Sequence, residues 1–388
     1  MLDFNDTKIA FQSKSNRDLR QAHFLFNTLA RPIVVKTGKL FLNVALAIHF
    51  PIKWVVKPTV YKHFCGGEII SECDPVVHKM ARYGVESILD YSVEGKENEA
   101  DIQAALEETL RTIDNAGGNE HIPFAVFKPT AFGRSQVLEK ASNGENLTQQ
   151  DKQDLERFRE RIHRLCQRAY QKDVPILIDA EEVAYQNIID QVVRENMRLF
   201  NLKKAIVFNT LQMYRWDRLE FLRQEVEVAE KEDYVFGAKF VRGAYMEKER
   251  EWARLYGYTS PIQPDKESTD RDYDAALKYS VEHISHVAIF NGTHNENSSR
   301  YLAELMEQHN LAKDDPRIYF SQLYGMSDHI SFNLAHEGYR VAKYLPYGPV
   351  KNVMPYLIRR AEENTAVAGQ TNRELELIKK ELKRRKTS

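Results

Sequence analysis

From about residue 86 onward, short apolar runs alternate with amphipathic ones, and the alternation repeats eight times. Residues 86–91, 123–128, 174–179, 204–210, 235–242, 286–291, 317–321 and 339–345 read as strands. Helical spacing occupies 151–172, 181–200, 215–231, 265–282, 297–310 and 328–338. A β-α repeat of this kind specifies an α/β protein with a parallel sheet. No glycine-rich dinucleotide fingerprint follows the first strand, so the pattern favours a (β/α)8 TIM-type barrel over a doubly wound sheet. With 388 residues the chain has room for one such barrel and a flanking extension.

Residues 1–85 predict a helical N-terminal extension, with apolar residues at helical spacing over 17–29 and 36–50. The barrel is expected over 86–372 and a charged C-terminal helix over 373–388. The most apolar segment, 40–52, is interrupted by Asn43 and His49 and is too short to span a bilayer, so it predicts a buried helix. Fifty-five basic against 56 acidic side chains argue against a nucleic-acid binder driven by bulk charge. Cys65, Cys73 and Cys166 have neither CxxC nor metal-site spacing, which predicts free thiols in a reducing compartment. No targeting peptide is visible at the start. A solvated face is the first reading of the basic tail, and contact with anionic lipid the second.

In a barrel, polar residues at the C-terminal strand ends are the candidates for function. Here they are Asp90, Lys128, Asp179, Gln212, Lys239, Thr293, His294, Asn295, Gln322, Leu323 with its neighbours, and Tyr344. The helix after the last strand then carries Arg359, Arg360 and Glu363. A planar guanidinium bonds both oxygens of a carboxylate, so two arginines behind a tyrosine-bearing strand make a plausible carboxylate trap. Singly, each residue has a plainer account: Lys128 as a solvated cation, Asp179 as a helix cap, Arg359 and Glu363 as an ordinary helix pair. Together they put cations around one barrel mouth with Asp179 and Glu363 as counter-charges, which suits an anionic substrate or an electron-rich cofactor. No divalent metal site is expected.

Four stretches, Ile178-Asp179-Ala180-Glu181-Glu182, Val241-Arg242-Gly243-Ala244-Tyr245, Thr293-His294-Asn295 and Tyr344 with Tyr356-Leu357-Ile358-Arg359-Arg360-Ala361-Glu362-Glu363-Asn364, fall in order on successive strand ends. In these the chain resembles the proline dehydrogenases, FAD-dependent barrel enzymes, over about residues 86–372. The resemblance implies oxidation of L-proline to Δ1-pyrroline-5-carboxylate, the first step of proline catabolism, with electrons passed to a quinone. It implies that Arg359, Arg360 and Lys128 hold the proline carboxylate and that Glu363 orients them. Tyr344 and Leu323 would pack on the pyrrolidine ring, and Asp179 and Tyr245 would brace the site. Gln212, Lys239, Gly243, Ala244, Thr293, His294, Asn295 and Gln322 would contact FAD. Lys239 stands where many bacterial members carry arginine, and this form is more similar to the mitochondrial branch than to the bifunctional bacterial enzymes.

The resemblance also implies hydride transfer from proline C5 to flavin N5, faster at higher pH because the amine must be neutral. By the same resemblance Tyr344, where the related hydroxyproline enzymes carry a smaller residue, implies proline rather than hydroxyproline as substrate. The competing readings are a flavin barrel acting on hydroxyproline or pipecolate, a Schiff-base lyase or aldolase using Lys128 or Lys239, and a carboxylate-binding protein without turnover. The expected location is cytoplasmic, with peripheral contact at the inner face of the membrane.

Overall fold

The structure, a computed structural model, describes residues 2–29, 56–92, 98–366 and 368–387; the side chains of residue 29 and of residues 361–371 lie outside that description. The apolar segment 40–52 and the helical run 36–50 also lie outside the described residues.

The eight strands are β1 (Val85–Tyr91), β2 (Ala125–Phe127), β3 (Ile176–Ile178), β4 (Val207–Gln212), β5 (Phe236–Val241), β6 (Val287–Gly292), β7 (Ile318–Leu323) and β8 (Val341–Tyr347). They form one sheet in the order β1-β8-β7-β6-β5-β4-β3-β2. Every described pairing is parallel, and the first strand lies beside the last, Val85 opposite Val341 through Tyr91 opposite Tyr347. Helices separate the strands, as parallel connections require. This is the (β/α)8 TIM-type fold.

The chain divides into two compact units. One comprises Met1–Glu94 with Gln322–Ser388, and the other Gly95–Ser321.

In the Gly95–Ser321 unit, local chemistry fixes where elements begin and end. Thr148 and Asp151 close a capping box on the helix Gln149–Lys172, and that helix ends at Asp173 in a left-handed conformation. Asp265 caps Lys266–Glu282 with its side chain, accepting from Ser268 N at 2.7 Å. The expected fourth strand, 204–210, is displaced to Val207–Gln212 by a single side chain. Asn201 Oδ1 accepts from Ile206 N at 2.9 Å and Val207 N at 2.8 Å, while its Nδ2 donates to Val207 O and Val235 O. Those bonds replace ladder partners, so 202–204 form a turn. The core is aromatic: the Phe124 ring meets Phe208, Phe290 and Tyr319 at centroid distances of 5.7, 5.1 and 4.8 Å.

In the other unit, the helices Thr7–Ala10, Asn16–Leu29 and Ala368–Thr387 share a core of Phe11, Leu19, Phe26, Leu375 and Ile378. The basic tail is not wholly a solvated face. Glu381 is fully buried and accepts from Arg384 at 2.8 Å and Arg385 at 2.6 Å. Arg385 also donates to the carbonyls of Phe11 and Lys14. Arg373 and Lys380 donate to Asn5 at 2.8 and 2.7 Å, so at least four of the tail's cations are engaged by the chain itself. The three cysteines are buried free thiols. Among the described residues, no helix is long and apolar enough to cross a membrane.

Candidate active site

Strand register sorts the Gly95–Ser321 unit into two sheet faces. Leu177 lies opposite Phe208, Thr210 opposite Lys239, Lys239 opposite Phe290, Phe290 opposite Tyr319, and Gly292 opposite Ser321. The aromatic plug around Phe124 fills this face at the N-terminal end of the strands. Thr210, Gln212, Lys239 and Ser321 follow at the C-terminal end. Residues of the opposite register meet the helices: Asn209 donates to Asp190 at 3.0 Å, and Tyr273 donates to Asn291 at 2.6 Å.

Lys239 and Asp179 meet at the tips of β5 and β3, with Lys239 Nζ 2.5 Å from Asp179 Oδ1. The lysine is almost wholly buried, and a buried ammonium requires such a partner. Asp179 therefore does not serve as a helix cap, and the following helix, Val183–Phe200, starts one turn later with Glu182 at the cap position. Beside the pair, Gln212 Nε2 donates to the Glu181 carbonyl at 2.7 Å. A carbonyl can only accept, so this contact fixes the amide and turns Gln212 Oε1 the other way.

The sequence reading passed over Glu181. Its carboxylate accepts from Thr130 N at 2.8 Å and Thr130 Oγ1 at 2.6 Å, and it feels the charge of half-buried Lys128. Burial pushes its pKa up to about 7 against the attraction of those donors. The available signal was an acid two residues beyond a strand-tip aspartate.

Arg242 binds the next two strand ends together. It donates to Asp270 at 2.8 Å, Thr293 Oγ1 at 2.6 Å and Ser298 at 3.0 Å, and stacks 4.4 Å over Tyr273. Asn295 caps the helix Glu296–Gln308, accepting from Asn297 N and Ser298 N. Thr293 and Asn295 are thus positioned by their own chain, and His294 is half-buried between them. Gly243 has φ +131°, and a Cβ there would come within 2.1 Å of the Tyr214 ring. Glycine is required at this turn, which leaves Gly243 and Ala244 exposed and Tyr245 half-buried.

In the other unit, Tyr344 is buried on β8, Leu323 is half-buried at the end of β7, and Tyr324 N donates to Tyr344 O at 2.8 Å. Arg359 and Arg360 are half-buried on the helix Met354–Ala366, with the Arg360 guanidinium 5.2 Å from the Tyr356 ring centroid. The side chain of Glu363 lies outside the described residues. Gln322 is buried, and its Oε1 accepts from Ser331 at 2.7 Å on the helix Asp328–His336. Strand alternation puts Ser321, not Gln322, on the Lys239 face. Ser321 Oγ is buried without a hydrogen-bond partner. Among the described residues, no cluster of histidine, cysteine, aspartate or glutamate is placed to hold a metal ion.

Comparison with known proteins gives a consistent match. The family model described as Proline dehydrogenase matches residues 73–373. A carbapenem antibiotics biosynthesis protein, CarD, of Pectobacterium carotovorum is 38% identical over 83% of this chain and 83% of its own length. The mitochondrial proline dehydrogenase 1 of Dictyostelium discoideum is 30% identical over 98% of this chain and 74% of its own, and the human mitochondrial protein is 38% identical over 66% and 44%. Among solved structures, proline utilization A of Bdellovibrio bacteriovorus superposes with a TM-score of 0.71 at 22% identity. That match covers 93% of this chain, which spans about a third (36%) of the other protein.

Proposed function

Because this chain belongs to the proline dehydrogenase family, close to its mitochondrial-type branch, and the family's reaction is proline oxidation, we propose that it works with FAD and passes electrons to a quinone. When bound, FAD supplies at its N5 atom the acceptor for a hydride from C5 of L-proline.

The residues present fit such a cofactor. Ser321 Oγ is a buried polar atom without a partner on the Lys239 face. The Gln212 amide is anchored from behind by Glu181 O, so its acceptor points away from the protein contact. Gly243 and Ala244 are exposed at the turn after β5, where backbone can approach a ligand. In this reading the fixed positive charge of Lys239, held by Asp179, stabilises negative charge gained by the ring. Arg242 keeps the β5 and β6 ends in place for Thr293, His294 and Asn295.

For the substrate, Arg359 and Arg360 hold the carboxylate of proline, and Tyr344 and Leu323 pack on its ring; Lys128, at the end of β2, is a further cation suited to an anionic group. The nitrogen of bound proline must be neutral before C5 can lose a hydride, because its lone pair assists that loss, so turnover rises with pH. The ammonium of Lys239 is committed to Asp179, which argues against its use as a Schiff-base nucleophile. A cytoplasmic location with peripheral contact at the membrane, where a quinone resides, belongs to the same proposal.

The observation that carries this reading is the buried Lys239–Asp179 pair beside the anchored Gln212 amide. The decisive experiment is an absorbance spectrum of the purified protein before and after anaerobic addition of L-proline. Flavin bands that bleach support the reading. A protein that takes up no FAD contradicts it, and flavin that reacts only with hydroxyproline or pipecolate reassigns the substrate. Arg359→Met should raise the KM for proline about 10- to 100-fold, the loss of one charge-assisted carboxylate contact, with the flavin spectrum unchanged.

A further inference from the structure

The turn that follows β7, residues 323–327, is held by side chains from both ends of the chain. Gly325 has φ +80° and Ser327 φ +51°, so the turn is wound through left-handed conformations that need external support. Lys343 Nζ donates to Met326 O at 2.6 Å and to Leu323 O at 3.3 Å. His63 Nε2 lies 2.8 Å from Gly325 O, and burial lowers its pKa to about 4, so the neutral ring donates its one N–H there. Glu374, on the C-terminal helix, accepts from Ser327 N at 3.1 Å.

Behind the turn the charges are balanced. Asp328 lies 2.8 Å from Lys343 and 3.0 Å from Lys14, and Glu374 adds a second carboxylate 3.8 Å from His329. Asp328, Lys343, Glu374 and His329 are all buried. Lys14 is delivered by the amino-terminal segment, whose backbone carbonyl at Lys14 is in turn held by Arg385 at 2.8 Å. Burial opposes the charge on Lys14, Asp328, Lys343 and Glu374; mutual attraction outweighs it at Lys14, which is raised, and at Asp328, which is lowered, whereas burial prevails at Lys343, which is lowered, and at Glu374, which is raised.

We propose that Lys14 is a positioning residue for the substrate: through Asp328 it keeps Lys343 on the carbonyls of Leu323 and Met326, and so keeps Leu323 and Tyr344 in place against the pyrrolidine ring. The inference rests on the reading of those two residues as the ring contacts. Without Lys14, two buried carboxylates face one ammonium. Lys343 is then drawn toward them and off the turn, and the turn that carries Leu323 loosens. Tyr344 is coupled to the same movement, because it follows Lys343 in β8 and its carbonyl accepts from Tyr324 N. The amino-terminal segment thereby becomes part of the substrate pocket's support without touching substrate.

The test is steady-state kinetics of the full chain with bound FAD. Lys14→Met should raise the KM for proline about tenfold while kcat stays within about twofold and the flavin spectrum is unchanged. Lys14→Arg should restore most of the affinity, because it returns the charge. Lys14→Gln keeps a donor toward Asp328 and serves if the methionine variant does not accumulate; its KM should rise severalfold. An unchanged KM in a folded, flavin-loaded Lys14→Met or Lys14→Gln protein overturns the inference. So does a joint fall of kcat, KM and flavin content that arginine fails to rescue, since that is a merely structural role. A wild-type protein that does not oxidise proline overturns the functional reading first and this inference with it. Normal wild-type turnover with unaltered variants overturns this inference alone.

Discussion

Two strand lysines of this protein are buried against aspartates, and they sit in opposite surroundings. Lys239 projects from β5 onto the sheet face of Gln212 and Ser321, and its partner Asp179 keeps 17% of its side-chain exposure. Lys343 projects from β8 toward the helix side, where Asp328, Met326 O and Leu323 O take its three donors. Asp328 is further shared with Lys14 and keeps only 6% exposure. Burial of a charged pair is therefore no marker of function by itself. The informative features are the face on which the pair projects and whether its partners close it off.

Asp328→Asn should break the closed cluster and give the largest effect. It leaves two ammonium groups buried with too little negative charge, and about 3–5 kcal/mol of stability should be lost in urea denaturation. A loss below about 1 kcal/mol would mean that water reaches the cluster and the contrast with Lys239 is false.

The pH dependence contributed by Glu181 and by Asp328 has opposite sign. Glu181, next to the open pair, has its pKa raised from 4.5 to about 7 by burial, so its contribution is complete below 4.5 and lost as pH rises through 7. Asp328 is lowered by Lys14 and Lys343 against the effect of burial, so its contribution is present above its ordinary value of 3.8 and lost at lower pH. Glu181→Gln should accordingly match wild type in stability near pH 4 and exceed it at pH 8 by roughly 3 kcal/mol, as followed by urea unfolding at both pH values. Equal stability at both would show that Glu181 is not held in a water-poor environment.

Lys239→Met should lower kcat about 100-fold, the scale of losing one fixed charge that acts on the reacting group, with a smaller stability loss than Asp328→Asn. Wild-type turnover in that variant would reduce the open pair to a structural one. The smallest effect is that of salt. Raising ionic strength from about 0.1 to 1 M should weaken proline binding severalfold at a solvent-reachable cation site but leave the closed cluster's share of stability unchanged, because screening acts weakly on buried pairs.

Much of this was readable from the chain. Eightfold strand–helix alternation predicts the barrel because parallel strands need helical crossovers, and the helices expected over 151–172, 265–282 and 297–310 are found as Gln149–Lys172, Lys266–Glu282 and Glu296–Gln308. The strand-tip residues Lys128, Asp179, Gln212 and Lys239 were legible because a barrel presents its C-terminal strand ends at one mouth. Glu181 was not, because its significance depends on Thr130, 51 residues earlier. Ser321 was not legible as a candidate either, because neighbouring strand residues differ only in the face on which they project, and only the observed register shows that it shares the face of Lys239.

The sequence by itself determined the order of elements, the residue types at the strand ends and the family to which the chain belongs. These follow from periodicity and local chemistry, which act over a few residues. Only the tertiary structure decided that Asp179 pairs with Lys239 rather than capping a helix, and that Lys14 and Lys343 share Asp328. Burial raises the cost of an unpaired charge, so a charged side chain takes whichever partner the fold brings within reach, and that partner can be hundreds of residues away.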